Sequence, residues 1–270
     1  MTESDLTGET VTIGDIEVRY TRHGSGRPVV LVHGLAEGRR SWHAVQEGLA
    51  DVTTFAYDLR GHGDTTLGTG AGNLSQLRDD LIGFLELVTG PATCIGFSLG
   101  GTIVLAAAAE RPDLVRTVVA LGTSSVVGRG AAAFYAQRIE LFRGSDAAAQ
   151  HAALRDDTVA ALHDSDVLVD RVTAERTAAV GDGGGYVNAA TAMAALAGDP
   201  LTLTLAGIGP GTRTWIVGAD HDTFCPKKAS DIILAAIPHA RYAEIVGAGH
   251  LMAVDQPAQT IEVLARAVNT

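Results

Sequence analysis

The apolar residues of the N-terminal half form short continuous runs that alternate with amphipathic segments. Alternating apolar and polar residues over 11–20 predict a β-hairpin that turns at Gly14 and Asp15. Four later runs have the length and composition of strands buried on both faces, at 28–33, 52–57, 92–97 and 115–121. Helical spacing is found between them, at 41–50, 74–88 and 99–110. Strands that alternate with helices predict an α/β fold with a mostly parallel sheet.

This alternation is interrupted in the second half of the chain. Residues 126–205 contain no convincing strand pattern and are rich in alanine and charged residues, which predicts several helices. The alternation then resumes, with strands at 212–218 and 241–246 and helices at 226–237 and 251–268. We therefore predict an α/β core in two parts, 1–125 and 206–270, separated by a helical domain at 126–205.

Charge and cysteine content narrow the class of partner. The 270 residues carry a net charge of −11, which disfavours nucleic acid and anionic membranes because both attract basic surfaces. Two cysteines, Cys94 and Cys225, are too few for a disulfide framework. The first ten residues are polar and acidic, unlike a signal peptide, and no apolar run has the length of a membrane span. We expect a cytoplasmic protein that acts on a small molecule; whether it forms a homodimer stays open.

One serine stands at the join between a predicted strand and a predicted helix. The segment Gly96-Phe97-Ser98-Leu99-Gly100 matches G-x-S-x-G, and its position after a strand and before a helix is that of a nucleophile elbow. Glycine on either side of the serine lets the strand and the helix approach closely. The N–H of Leu99 would be free at the start of the helix and could bind an oxyanion. Ser98 is therefore a candidate nucleophile, and the alternative is a tight turn with a packing serine.

A serine nucleophile requires a base and a carboxylate that orients it. His250 lies in a glycine-containing loop after the last predicted strand, at the sheet edge where α/β proteins place their sites. Asp220 and Asp222 follow another predicted strand, and the chain order serine, aspartate, histidine is that of α/β-hydrolases. No further ligands are spaced to join these acids around a metal, so we predict no metal site. Leu35, after a strand that ends in His-Gly, could supply a second oxyanion N–H.

Taken together, these motifs resemble the α/β-hydrolase superfamily over nearly the whole chain. The residues that carry the resemblance are His33-Gly34, 58–63 (D-L-R-G-H-G), 96–101 (G-F-S-L-G-G), Val217-Gly218 with the acids after it, and Gly249-His250. The resemblance implies an eight-stranded, mostly parallel sheet flanked by helices, a helical cap inserted after the sixth strand, and a Ser-His-Asp triad without metal or organic cofactor.

The resemblance favours one of the two acids. Related sequences often read G-x-x-D-x-x-x-P, and this chain has one residue more between Gly218 and Pro226. Counting back from Pro226 gives Asp222, so Asp222 is the favoured triad acid and Asp220 the alternative.

The resemblance also implies a reaction class. Carboxylesterases, enol-lactonases and cofactor-free haloperoxidase-type esterases carry similar elbows, so we expect hydrolysis of a small carboxylic ester or lactone through an acyl-enzyme. The alternatives are C–C bond hydrolysis or cofactor-free oxygenation on the same fold, or a ligand-binding receptor with a vestigial triad. Apolar residues of the core and the insertion are candidates for the substrate pocket: Trp42, Phe97, Phe134, Tyr135, Tyr186 and Met193.

Overall fold

The computed structural model describes residues 8–164 and 166–269, and eight strands in these residues form one sheet. The strands are β1 (Glu9–Ile13), β2 (Ile16–Gly24), β3 (Arg27–Val32), β4 (Val52–Tyr57), β5 (Ala92–Phe97), β6 (Val115–Leu121), β7 (Arg213–Ala219) and β8 (Arg241–Ile245). Their order in the sheet is β1-β2-β4-β3-β5-β6-β7-β8. The pairs β1–β2 and β2–β4 are antiparallel and all the others are parallel. The predicted α/β class with a mostly parallel eight-stranded sheet is confirmed.

Ten α-helices lie in the described residues. They are α1 (His43–Gly48), α2 (Leu74–Phe84), α3 (Leu99–Glu110), α4 (Arg129–Arg143), α5 (Ala147–Ala161), α6 (Val169–Val180), α7 (Gly184–Ala195), α8 (Lys227–Ala236), α9 (Met252–Asp255) and α10 (Pro257–Asn269). Within the same ranges, no helix is both long and apolar enough to cross a membrane.

Two predicted helices are interrupted or change type within their predicted ranges. The segment 251–268 was predicted as one helix, but it forms α9 and α10 with a break at Gln256. Pro257 explains this break, because proline disfavours helical backbone in the residue before it and fits the first turn of a helix. The predicted helix 74–88 ends as an α-helix at Phe84 and continues as a π-helical turn over Leu85–Thr89.

The centre of the sheet is buried on both faces. All six residues of β4 are buried, as the continuous apolar pattern predicts for a strand covered on both sides. The helix α3 is also buried nearly all round, with ten of its twelve residues inaccessible. Its uniform apolar and small-residue composition therefore fits a helix enclosed by its neighbours. This buried centre encloses β5 and leads to the serine that follows it.

A buried ion-pair network fixes the charged turn after β4. The Arg60 guanidinium donates to both carboxylate oxygens of Asp80, at 2.9 and 2.7 Å, and to Asp15 and the Leu67 carbonyl. Asp58 in the same turn accepts from the backbone N–H and the guanidinium of Arg39. The charged residues Asp58 and Arg60 of this turn are therefore paired with residues of neighbouring elements.

The helical insertion covers the carboxyl ends of the strands. The four helices α4–α7 lie between β6 and β7, with α4 packed on α7 and α5 packed on α6. Two backbone hydrogen bonds join this insertion to the core: Leu251 N–H donates to Ala161 O at 3.0 Å, and Gly63 N–H donates to Ala179 O at 2.8 Å. The insertion therefore lies over the edge of the sheet at which the candidate catalytic residues are found.

Candidate active site

Ser98 occupies a strained turn between β5 and α3. Its backbone has φ 52° and ψ −116°, a conformation that non-glycine residues rarely adopt. Hydrogen bonds from Ser98 N–H to Leu121 O at 2.8 Å and from Thr123 Oγ1 to Ser98 O at 2.5 Å hold it there. A Cβ on Gly96 would collide with the backbone of Gly100, so glycine is needed where the strand and the helix meet. The turn lifts the serine side chain away from both elements.

The structure brings Ser98, His250 and Asp222 together in one chain of hydrogen bonds. His250 Nε2 lies 3.1 Å from Ser98 Oγ, and His250 Nδ1 lies 2.9 Å from Asp222 Oδ2. The aspartate and the histidine are buried, and the serine is half-buried. These distances suit transfer of the serine proton to the imidazole.

The surroundings of Asp222 keep its carboxylate charged. Burial opposes ionisation, but the His250 imidazole and the N–H groups of Cys225 and Phe224 outweigh it and lower the pKa of Asp222 below its usual value. Those two N–H groups donate to Oδ1, at 2.8 and 2.9 Å, which leaves Oδ2 for the histidine. A carboxylate held in this way fixes the imidazole with its proton on Nδ1 and its free electron pair on Nε2.

Asp220, the alternative acid, has a different set of partners. It accepts from the N–H groups of Gly247, at 2.8 Å, and Ala248, at 3.2 Å. These contacts tie the loop after β7 to the loop that leads from β8 to His250. Partial burial opposes ionisation of Asp220, but the two N–H groups outweigh it and lower its pKa. The geometry therefore gives Asp220 a part in holding the loop rather than in contacting the imidazole.

The turn after β3 lies beside the serine and is held by a buried histidine. The N–H of Leu59 donates to His33 Nε2 at 2.8 Å, so this ring carries its proton on Nδ1 and donates it to Gly34 O, also at 2.8 Å. Burial lowers the pKa of His33 to about 3, which keeps the ring neutral. The next residues form a tight turn in which Ala36 has φ 61°. Leu35 lies in this turn, and its N–H has no acceptor among the residues that the structure describes.

A second N–H without an acceptor in the described residues belongs to Leu99, directly after Ser98. Leu99 is the first residue of α3, so its N–H has no carbonyl one turn earlier to which it could donate. The positive end of the helix dipole is at the same place. The two N–H groups predicted as oxyanion donors, those of Leu35 and Leu99, therefore belong to turns that flank the candidate nucleophile.

A large cavity adjoins this site. It has a volume of about 810 Å³ and lies between α6, the segment 37–44 and the segment 251–257. Phe97 lines it, and the ring centroid of Phe97 is 4.8 Å from that of His250. Trp42 also lines the cavity, so two of the six predicted pocket residues lie on its wall.

The other four predicted pocket residues are found elsewhere. Tyr186 stacks on Phe142 at 4.1 Å in the core of the insertion, and Met193 is buried in the main core. Tyr135 is partly buried against both cores. Phe134 reaches the site indirectly, through Phe224. None of the four lines this cavity; Tyr186 and Met193 pack in the apolar layers that any helical insertion must bury.

Sequence reasoning missed two residues that approach the triad. The ring of Phe224 stacks on His250, with centroids 5.1 Å apart, and lies two residues after Asp222. The carboxylate of Glu37 is buried at the turn after β3 and interacts electrostatically with His250. The sequence feature that could have pointed to Glu37 is the presence of an acid three residues after His33-Gly34. Across the residues that the structure describes, no cluster of three or more His, Cys, Asp or Glu side chains is arranged to hold a metal ion.

Comparison with known families identifies the scaffold. Residues 27–257 match the family model of the alpha/beta hydrolase fold. The chain belongs to this family. Its sheet, its insertion and its Ser-Asp-His order agree with that assignment.

Individual relatives are distant. The chain is 25% identical to 3-oxoadipate enol-lactonase 2 of Acinetobacter baylyi over 255 residues, which are 92% of each protein. It is 35% identical to 2-(acetamidomethylene)succinate hydrolase of Mesorhizobium japonicum over 113 residues, 41% of each. The chain thus matches about two fifths of the length of the first curated relatives. The enol-lactonase from Burkholderia xenovorans LB400 superposes with a TM-score of 0.86 over 97% of this chain and 100% of its own, at 21% identity, a likeness of fold alone.

Proposed function

We propose that this α/β-hydrolase cleaves a small carboxylic ester or lactone through an acyl-enzyme on Ser98. The observation that carries the proposal is the hydrogen-bonded chain from Ser98 through His250 to Asp222. Relatives named as an enol-lactonase and as other hydrolases support the same class of reaction. The fold alone fixes no substrate, so the proposal rests on the site.

The proposed reaction has two halves. Ser98 Oγ attacks the acyl carbon while its proton moves to His250 Nε2, and the carbonyl oxygen becomes an oxyanion. The N–H groups of Leu35 and Leu99 donate to that oxyanion, each stabilising the transition state by roughly 3 kcal/mol. His250 then protonates the leaving alcohol, which remains tethered to the acyl group if the substrate is a lactone. Water, deprotonated by His250, releases the acid and restores Ser98.

The cavity suggests the size and character of the substrate. Its volume of about 810 Å³ suits a small organic molecule, and part of its wall next to the triad is apolar, formed by Phe97, Leu121 and Met252. The rim formed by α6 and the 37–44 segment carries both acids and arginines, which include Arg39 and Arg176. A substrate with an apolar body would fit this arrangement. The chemistry requires no cofactor, because the serine supplies the nucleophile.

We also propose that the protein works in the cytoplasm on a free small molecule. Both cysteines are unpaired, and Cys94 is buried as a thiol whose pKa burial raises to about 12. Such thiols are typical of proteins from reducing compartments. The net charge of −11 disfavours nucleic acid as a partner.

The direct test is a panel of p-nitrophenyl esters and small lactones, with mass spectrometry of the enzyme quenched during turnover. We expect turnover of at least one class and an acyl adduct on the peptide that contains Ser98. Turnover without an adduct at Ser98 would contradict the mechanism. Binding of these compounds without turnover would favour a ligand-binding receptor. If the protein cleaved none of them but cleaved a C–C bond in a separate assay, the proposed substrate class would be wrong.

The length of substrate that the cavity accepts gives a separate prediction. Ala178 is an exposed residue of α6 on the wall of the cavity, and phenylalanine there would fill part of it. For Ala178→Phe we expect kcat/KM for an octanoate ester to fall by about 10-fold or more, with the value for acetate changed little. Steady-state kinetics on a series of chain lengths measures this.

The matched control for this prediction is Ala152→Phe. Ala152 is exposed on α5, outside the cavity wall, so the same substitution there should leave the chain-length profile unchanged. An equal loss for acetate and octanoate in Ala178→Phe would show that the acyl chain does not occupy this cavity.

A further inference from the structure

The turn that carries Leu35 is closed by one acidic residue. The N–H of Gly34 donates to Glu37 Oε2 at 3.1 Å, and the N–H of Glu37 donates to Gly34 O at 3.3 Å. The side chain of Glu37 thus holds the N–H of Gly34, and the backbone of Glu37 holds the carbonyl of Gly34. Because Gly34 lacks a side chain, its peptide planes would otherwise reorient easily.

This arrangement decides which N–H groups remain available at the site. Gly34 N–H is engaged by the carboxylate, and Gly34 O already accepts from His33 Nδ1. The next N–H along the chain, that of Leu35, has no acceptor among the residues that the structure describes. A Cβ on Gly34 would lie within about 3.3 Å of the Ser98 Cβ, so this turn is pressed against the nucleophile. A small rotation of the turn would therefore move the Leu35 N–H relative to the acyl oxygen.

The insertion helps to place the carboxylate of Glu37. Glu37 is 9% exposed, and its electrostatic partners are Arg176 of α6 and His250. The Arg176 guanidinium itself is anchored by Nη1, which donates to Thr158 Oγ1 at 2.8 Å on α5. An acid at this depth is costly unless it is paired and hydrogen-bonded. Glu37 therefore links the insertion, through Arg176, to the turn that carries Leu35.

We propose that Glu37 is a positioning residue for the oxyanion site: its side-chain oxygen holds the Gly34 N–H so that the Leu35 N–H is presented to the acyl oxygen. This inference rests on the proposed hydrolase function. It assigns the effect to the hydrogen-bond acceptor and not to the charge of Glu37. Glu37 also lies on the wall of the cavity, but in this role it acts on the acyl oxygen through the turn and not by direct contact.

Two substitutions of nearly equal size separate the acceptor from the charge. Glu37→Gln keeps a side-chain oxygen at the same reach, and Glu37→Met keeps the volume with no comparable acceptor. We expect kcat of Glu37→Met to fall by roughly 10- to 100-fold, less than the 10²–10³-fold that loss of an oxyanion donor costs. KM should change little, because the lost interaction acts in the transition state. Glu37→Gln should recover most of the lost activity.

The measurement is the second-order rate at which a fluorophosphonate modifies Ser98. Ser98 Oγ bonds to phosphorus, fluoride leaves, the proton goes to His250, and the phosphoryl oxygen enters the oxyanion site. This rate needs no knowledge of the natural substrate. We expect slow modification of Glu37→Met, modification of Glu37→Gln close to that of wild type, and similar melting temperatures for both. Glu47→Ala, which removes an exposed acid of α1, should react like wild type.

The outcomes separate the two proposals. If Ser98 of the wild type is modified and Glu37→Met reacts equally fast, the positioning role is wrong while the hydrolase proposal stands. If Glu37→Gln is as slow as Glu37→Met, the charge and not the acceptor matters, and the inference is also overturned. If the wild type is not modified at Ser98, the proposed function falls and this inference falls with it.

Discussion

Replacement of Ser98 by alanine is expected to abolish ester hydrolysis, with kcat reduced by about 10⁴- to 10⁶-fold. The hydroxyl is the atom that His250 faces at 3.1 Å, and alanine leaves the imidazole with no serine hydroxyl to deprotonate. What remains would be the small acceleration provided by the oxyanion site and by substrate binding. A short p-nitrophenyl ester, followed from the burst to the steady state, measures both acylation and turnover.

Two controls are needed to interpret the loss of activity in Ser98→Ala. The Ser98→Ala protein should keep a melting temperature close to that of the wild type. Alanine and serine both carry a Cβ, so the backbone strain of the positive φ at this turn is the same for the two. Ser75→Ala, an exposed serine at the start of α2, should hydrolyse the ester as fast as the wild type. Activity retained by Ser98→Ala would show that another group attacks the ester and would remove the acyl-enzyme mechanism.

The fold could be predicted because its signals are local. The buried strand 92–97 and the helix 99–110 were predicted at the bounds that the structure gives, since a continuous apolar run ends at a glycine-flanked serine. The helix at 251–268 was placed correctly, but its break was missed. Pro257 was the available signal for this break, because proline disfavours helical backbone in the residue before it.

The pocket was harder to predict than the fold. The apolar face of each helix in the insertion meets either another helix or the substrate, and a single sequence does not distinguish the two. Tyr186 was a candidate for the substrate pocket, and in the structure its ring stacks on that of Phe142. Small and exposed residues of α6, such as Ala178, line the cavity instead. Glu37 was missed for a related reason, because its contact with Gly34 depends on the left-handed conformation of Ala36.

The two aspartates that the sequence left open should differ by orders of magnitude in their effect on catalysis. For Asp222→Asn we expect kcat to fall by about 10⁴-fold, because an amide can pair with His250 in the wrong tautomer and does not stabilise the imidazolium. For Asp220→Asn we expect kcat within about threefold of wild type, because the Asp220 side chain contacts the loop before His250 and not the imidazole itself. Ester hydrolysis under saturating substrate compares the two variants directly.

Melting temperatures complete this comparison. Asp220→Asn should lower the melting temperature slightly. Oδ1 of the carboxylate accepts from Gly247 and Ala248, Oδ2 also accepts from Gly247 at 3.0 Å, and the amide would lose this Oδ2 contact. Asp222→Asn should remain folded, since its amide oxygen can still accept from Phe224 and Cys225. A large loss of kcat in Asp220→Asn with full activity in Asp222→Asn would assign the triad acid to Asp220. Equal losses in both would mean that the loop, and not one carboxylate, controls the orientation of His250.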